Sequence, residues 1–292
     1  MPATKQKLDS EAKPKKPAPG KKPVRAPAKK AAAKKAGAKK KKKKKKAIPT
    51  PDISEEAQLW AQGDLLVFGV DEAGRGCLAG PVCAAVSAWA PFSRAFGFPA
   101  EVNDSKLLKE AQREAAFAPV LTGSLTCGVG FATAAEIDRW NIFRATHLAI
   151  ARALESALRA LSDRGLLAGF KDFAFLVDGN HRMVKLAGFF VLHADFAQEF
   201  PLARLIFRRE FIEKTLVKGD SKVFSIASAS VLAKVSRDRL MAKLDAEFPA
   251  YEFGLHKGYS TPRHIRNLRL HGPCFEHRKT FAPINEALSL FP

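Results

Sequence analysis

No run of about 18 uncharged apolar residues occurs anywhere in this 292-residue chain, which excludes an ordinary transmembrane helix. The start of the chain lacks an apolar stretch followed by a small-residue cleavage site, so a secretory signal is not expected. Cysteine is scarce. Cys77, Cys83, Cys127 and Cys274 are too few and too scattered for a disulfide scaffold, and no pair has zinc-knuckle spacing. These absences predict a protein of the reducing cytoplasm with no membrane attachment.

Acids are nearly missing from one end. Residues 1–50 hold 20 Lys or Arg against only Asp9 and Glu11, a balance of +18, while the other 242 residues hold 29 against 27. The formal net charge of +20 therefore belongs almost wholly to a tail, and the body is close to neutral. The tail is Lys, Ala and Pro with an unbroken lysine run from Lys39 to Lys46. Without aromatic residues it cannot bury enough surface to offset ordering entropy, so residues 1–55 are predicted to be disordered. No apolar face accompanies the lysines, which disfavours a membrane anchor. The composition favours an electrostatic tether to a polyanion, whether DNA, RNA or an anionic surface, because each neutralised phosphate releases counterions whatever the base sequence.

The body reads as α/β. Leu65–Val70, Val82–Trp89, 127–132 and Phe173–Val177 are short apolar runs of strand type. Leu148, Ala151, Leu154, Leu158 and Leu161 step by three or four, as does the apolar set from Ile226 to Leu240, and both predict helices. Strands come first and then alternate with helices, which indicates a mixed sheet.

Acids stand where three strand-like runs stop: Asp71-Glu72, Asp178 and Asp220. Strand ends are where α/β sheets place ligands. Carboxylates gathered there repel unless a cation sits among them, and hard cations such as Mg²⁺ or Mn²⁺ prefer all-oxygen surroundings. Two such ions suit phosphodiester hydrolysis. Asp104, Asp138 and Asp238 have ordinary loop or helix-face explanations. Gly74-Arg75-Gly76 follows the first acidic pair directly, and its glycines let backbone approach a phosphate or a sugar hydroxyl.

The string Val70-Asp71-Glu72-Ala73-Gly74-Arg75-Gly76 resembles the signature of bacterial ribonuclease HII. Asn103-Asp104-Ser105-Lys106, Val177-Asp178-Gly179-Asn180, Lys218-Gly219-Asp220-Ser221, Ala233–Asp238, His256-Lys257-Gly258-Tyr259 and His277–Phe281 agree in order. The resemblance covers roughly residues 65–285 and excludes the tail. It implies an RNase H-like fold over residues 56–235, with a helical C-terminal extension over 236–292 that contacts substrate. It also implies cleavage 5′ to ribonucleotides in RNA–DNA hybrids or embedded in duplex DNA, with Mn²⁺ or Mg²⁺ as cofactor. Asp71, Glu72, Asp178 and Asp220 would be the catalytic, metal-holding set. Gly74, Arg75 and Gly76 would read the 2′-hydroxyl, and Tyr259 would stack on the neighbouring deoxyribose. Lys106, Lys234 and Lys257 are candidate phosphate contacts, and a monomer is expected. His256 and His277 have no ligand spacing and are given no role.

Two departures stand out. Cys77 occupies a position where the family often has proline. Forty-one residues separate Asp178 from Asp220, more than the family leads one to expect. Within 183–212, Phe189–Leu192 and Leu205–Phe207 look strand-like and predict an inserted hairpin or loop. Two rival readings are a ribonuclease HIII-type enzyme, disfavoured by Arg75 and by the tail, and a non-catalytic coating protein whose body is inert.

Overall fold

The computed structural model describes residues 50–91, 102, 105, 108–180, 182–192 and 198–288, all within the unit Ala47–Pro292. The lysine-rich tail, Asp104 and Lys106 lie outside the described residues. Five strands form one sheet: β1 (Leu65–Ala73), β2 (Val82–Ala88), β3 (Thr126–Ala132), β4 (Asp172–Asp178) and β5 (Ile212–Leu216), in spatial order β3-β2-β1-β4-β5. Pairs β1–β2 and β2–β3 are antiparallel, whereas β1–β4 and β4–β5 are parallel. The mixed sheet expected from the order of elements is present.

Side-chain parity sorts the core into two layers, since successive strand residues face opposite sides. Leu66, Phe68 and Val70 turn to one face, where helix α3 lays down Leu148, Leu154, Leu158 and Leu161. That helix spans Ala134–Asp163 and is interrupted at Asn141, whose φ is 65°. It follows α1 (Ser54–Trp60) and α2 (Glu110–Gly123). Leu65 and Val67 turn to the other face and meet Ala174, Leu176 and Ile226. Full burial of one such side chain contributes about 1.5–3 kcal/mol. Gly69 shares this second face, and a Cβ there would fall 2.1 Å from the carbonyl carbon of Ser225. Helix backbone therefore rests directly on strand β1, which only glycine permits.

The inserted hairpin is not what forms between β4 and β5. Val184–Leu192 is helix α4 and Pro201–Ile206 is helix α5. Short unbroken apolar runs fit a strand and a buried helix equally. Here Pro201 sits in the first helical turn, where its missing N–H costs nothing. Phe190, Phe200 and Ile206 join the α3 side of the core.

Helix α6 spans Phe224–Glu247 without a break, straight through the boundary expected at 235/236. Short helices follow: α7 (Phe253–His256), α8 (Pro262–His271) and α9 (Ile284–Leu288). The C-terminal region is helical, as expected. Among the described residues no helix is long and apolar enough to cross a membrane. All four cysteines are free.

Candidate active site

Parallel pairing brings the acids together. The β1–β4 register ends at Val70 opposite Val177, so Asp71 and Asp178 are the next residues on adjacent parallel strands. Both share the parity of Gly69 and Leu176 and face the α6 side. Asp220 arrives from a single 3₁₀ turn, Gly219–Ser221, just before α6 on that same side. Oxygen atoms of Asp71, Asp178 and Asp220 all lie within 4.8 Å of one another. Asp71 and Asp220 are buried, at 4% and 3% exposure.

Backbone amides fix the carboxylates in place. Oδ1 of Asp71 accepts the N–H of Glu72 at 2.8 Å, and Oδ1 of Asp178 accepts the N–H of Gly219 at 2.7 Å. The first turn of α6 is pinned from outside the sheet: the buried Glu56 of α1 accepts the N–H of Ser225 at 2.8 Å. Burial raises the Glu56 pKa. Nothing in the sequence flagged Glu56, which lies 164 positions before Asp220.

Glu72 is one residue out of parity with Asp71. The pleat turns it toward the α3 side, where its Oε1 accepts from Arg75 Nη1 at 3.0 Å. Arg75 in turn stands 5.4 Å from the ring centroid of Phe143. The carboxylate group within 4.8 Å therefore comprises three of the four acids singled out in the sequence.

The Gly-Arg-Gly loop is clamped from beneath by Arg278, a fully buried side chain. Its guanidinium donates to the carbonyls of Gly74 at 2.6 Å, Arg75 at 2.8 Å and Gly80 at 2.9 and 3.0 Å. In a trans peptide the N–H points opposite to its C=O. With the Gly74 and Arg75 carbonyls turned onto Arg278, the N–H groups of Arg75 and Gly76 face away from it. Gly74 has φ +88°, and a Cβ there would fall 1.9 Å from Nε of Arg237. Arg237 is likewise fully buried and donates to the carbonyls of Pro81, Lys257 and Ala79. Sequence reading gave neither arginine a role. Both stand among other charged residues in the sequence, Lys234, Asp238 and Arg239 around one and Glu276 and Lys279 around the other, so no local pattern marks them; the planar fork of donors satisfies several carbonyls at once.

Tyr259 is 42% exposed, and its ring lies 6.0 Å from the Arg237 guanidinium. Burial of its phenol raises its pKa. Lys257 has φ 52° and carries its ammonium 3.9 Å from Glu110. Lys234 is committed elsewhere: Asp238 holds its ammonium at 2.5 and 2.7 Å, and burial lowers its pKa. A phosphate contact at Lys234 is therefore not supported. Asp238 also faces Arg113 at 3.7 Å, while Asp138 accepts the N–H groups of Lys279 and Thr280. Both acids are thus engaged in contacts within the protein.

Aspartates delivered to one point from parallel strands, in a mixed sheet of this order, are the arrangement of an RNase H-like nuclease. The chain belongs to the ribonuclease HII family, whose model matches residues 68–190 and 200–283. The match breaks at 191–199, inside the stretch read as surplus. Ribonuclease HII of Albidiferax ferrireducens is 40% identical over 239 residues, covering 82% of this chain and 96% of the relative. That of Geobacillus thermodenitrificans is 39% identical over 235 residues, covering 80% and 75%. The crystal structure of ribonuclease H2 from Pyrococcus horikoshii superposes with a TM-score of 0.53 at 25% identity, over 77% of this chain and 98% of that one. The body is thus an endoribonuclease of the RNase H type, and the reading of it as an inert scaffold is set aside.

Proposed function

We propose that this enzyme uses divalent cations to cut the phosphodiester on the 5′ side of ribonucleotides, in RNA–DNA hybrids and where they are embedded in duplex DNA. The products would be a 5′-phosphate on the ribonucleotide and a 3′-hydroxyl upstream. The single observation that carries this is the meeting of Asp71, Asp178 and Asp220 within 4.8 Å. Oxygens around one octahedral Mg²⁺ stand about 3–4 Å apart, so an all-oxygen set at this separation fits Mg²⁺ or Mn²⁺. Asp71, Asp178 and Asp220 would hold the metal, and Glu72, the next residue along β1, would complete the acidic set by leaving its pair with Arg75. Two such ions supply a reactive water and a charge sink for the leaving oxygen.

The chain's own groups do the rest. The N–H groups of Arg75 and Gly76 are presented away from Arg278 and suit the 2′-hydroxyl, the group that separates RNA from DNA. Arg75 and Lys257 supply positive charge for the flanking phosphates, and Lys106 joins them by its position in the sequence. Tyr259 offers a half-exposed ring for the sugar that follows. The lysine-rich tail raises the local concentration of the enzyme on nucleic acid without reading sequence.

Mapping of cleavage sites on a duplex with one embedded ribonucleotide, beside an all-RNA hybrid strand, tests this reading. Cuts at the 5′ side of the single ribonucleotide, dependent on Mg²⁺ or Mn²⁺, are expected. Cleavage that persists in Asp71→Asn would overturn the assignment.

A further inference from the structure

Three histidines that the cleavage chemistry does not use are buried together in the C-terminal region: His256, His264 and His277. Their contacts admit one arrangement of protons. The N–H of Cys274 donates to Nδ1 of His277 at 3.0 Å, so that nitrogen is bare and the proton sits on Nε2. Nε2 of His277 lies 3.1 Å from Nε2 of His264. Nδ1 of His264 lies 2.9 Å from the carbonyl oxygen of Tyr259, which can only accept. His264 is therefore protonated on Nδ1, and its Nε2 accepts from His277. His256 is fixed in the same way. Its Nε2–H donates to the carbonyl of Tyr251 at 2.8 Å, and its Nδ1 accepts the N–H of Gly258 at 3.2 Å. The rings of His256 and His264 stack with centroids 4.2 Å apart.

The end of this series is the backbone of a residue whose side chain faces outward. The chain reaches Tyr259 through two residues in left-handed conformation, Lys257 (φ 52°) and Gly258 (φ 81°). Such a segment needs fastening from outside, and the histidines supply it on both sides of the turn. His277 is also next to Arg278, the clamp on Gly74 and Arg75. One dipeptide thus holds the Gly-Arg-Gly loop directly and Tyr259 through His264.

We propose that His264 and His277 are positioning residues for substrate binding, acting in series through the Tyr259 carbonyl to set the Tyr259 ring against the nucleic acid. This rests on the reading of Tyr259 as a substrate contact. A neutral imidazole pair with opposite tautomers can be a donor at one end and an acceptor at the other.

Two measurements on the full chain test it. In ¹⁵N-histidine-labelled protein at neutral pH, His264 should show the Nδ1–H tautomer and His277 the Nε2–H tautomer; the reverse pair, or a charged ring, overturns the series. In kinetics on a duplex with one ribonucleotide, His264→Leu should raise KM about tenfold with kcat nearly kept, on the scale of one lost hydrogen bond. His264→Asn, whose amide nitrogen stands near the Nδ1 position, should recover most of that loss. A folded His264→Asn as weak as His264→Leu overturns the proposal. In a Tyr259→Ala background, His264→Leu should add nothing. Additive effects with an impaired Tyr259→Ala sink the relay alone, whereas an unimpaired Tyr259→Ala sinks Tyr259 as a substrate contact and the proposal with it.

Discussion

Oδ1 of Asp178 accepts the backbone N–H of Gly219 at 2.7 Å, and that contact closes a stretch of 41 residues. It holds Asp220, the next residue, beside the end of β4, however much chain is inserted between. Loop closure grows only slowly with length, so helices α4 and α5 can be accommodated without disturbing the acids.

Asp178→Asn keeps an acceptor at Oδ1 and removes the charge, so it should fold normally. Cleavage should fall by about a hundredfold or more, the scale on which one charge-stabilising group contributes to catalysis. In metal-free buffer the thermal midpoint should hold or rise, because repulsion among three carboxylates is relieved. Added Mn²⁺ should raise the midpoint of the wild type and leave the variant's unmoved. A variant that still gains stability from Mn²⁺ would take Asp178 out of the metal set.

Much of this site was legible in the sequence because strand ends are. A buried strand announces itself by an apolar run, and an acid at its close is visible as a letter. Parity is harder to read. Asp71 and Glu72 are adjacent letters, yet the pleat sends them to opposite faces, and only register with β4 decides which one meets Asp178. Phe189–Leu192 and Leu205–Phe207 look like strands in sequence yet lie in or at the ends of helices, because three or four apolar residues in a row have no period. Glu56, Arg237, Arg278 and His264 escaped notice because each acts on backbone carbonyls or amides distant in the chain, and such partners leave no spacing pattern.

Arg278→Met removes the clamp while keeping most of the side chain's length. The carbonyls of Arg75 and Gly80 lose the donors Arg278 supplies, and that of Gly74 keeps only the Cys77 N–H at 3.4 Å. Burial lowers the Arg278 pKa to about 10, which leaves the group charged at neutral pH. Loss of its donors should cost about 2–4 kcal/mol of stability in denaturant melts. At a temperature where the variant is still folded, KM for a duplex with one ribonucleotide should rise more than kcat falls. An unchanged KM would show that the loop holds its shape without Arg278.

Removal of residues 1–50 takes away 20 of the 49 Lys and Arg residues. Binding to duplex nucleic acid should weaken, and the slope of log Kd against log salt should flatten, since fewer counterions are released. The turnover rate at saturating substrate should stay as it is, because the acids and the Gly-Arg-Gly loop lie in the body. A truncated enzyme with the full-length salt slope would remove the tether from the account.

Acid should unfold the C-terminal region first, and the sign follows from the histidines. Burial lowers the pKa of His264 to about 4 and that of His277 to about 3, from an ordinary value of 6.5. Between those values and 6.5 the unfolded chain binds protons that the folded chain refuses, so stability rises with pH across this window. The contribution is fully present above pH 6.5 and is lost as pH falls toward 4 and then 3. It amounts to on the order of 3–5 kcal/mol for each ring. Among their titratable neighbours burial lowers the pKa of His256 and raises those of Tyr251, Cys274 and Glu276. Denaturant melts at pH 5.0, 5.75 and 6.5 should therefore show proton uptake on unfolding, and His277→Gln should reduce that uptake by about one proton. The carboxylates are the same in both proteins and so drop out of the difference. An equal slope in wild type and variant would mean that His277 carries its proton in the folded state, which its acceptance of the Cys274 amide forbids.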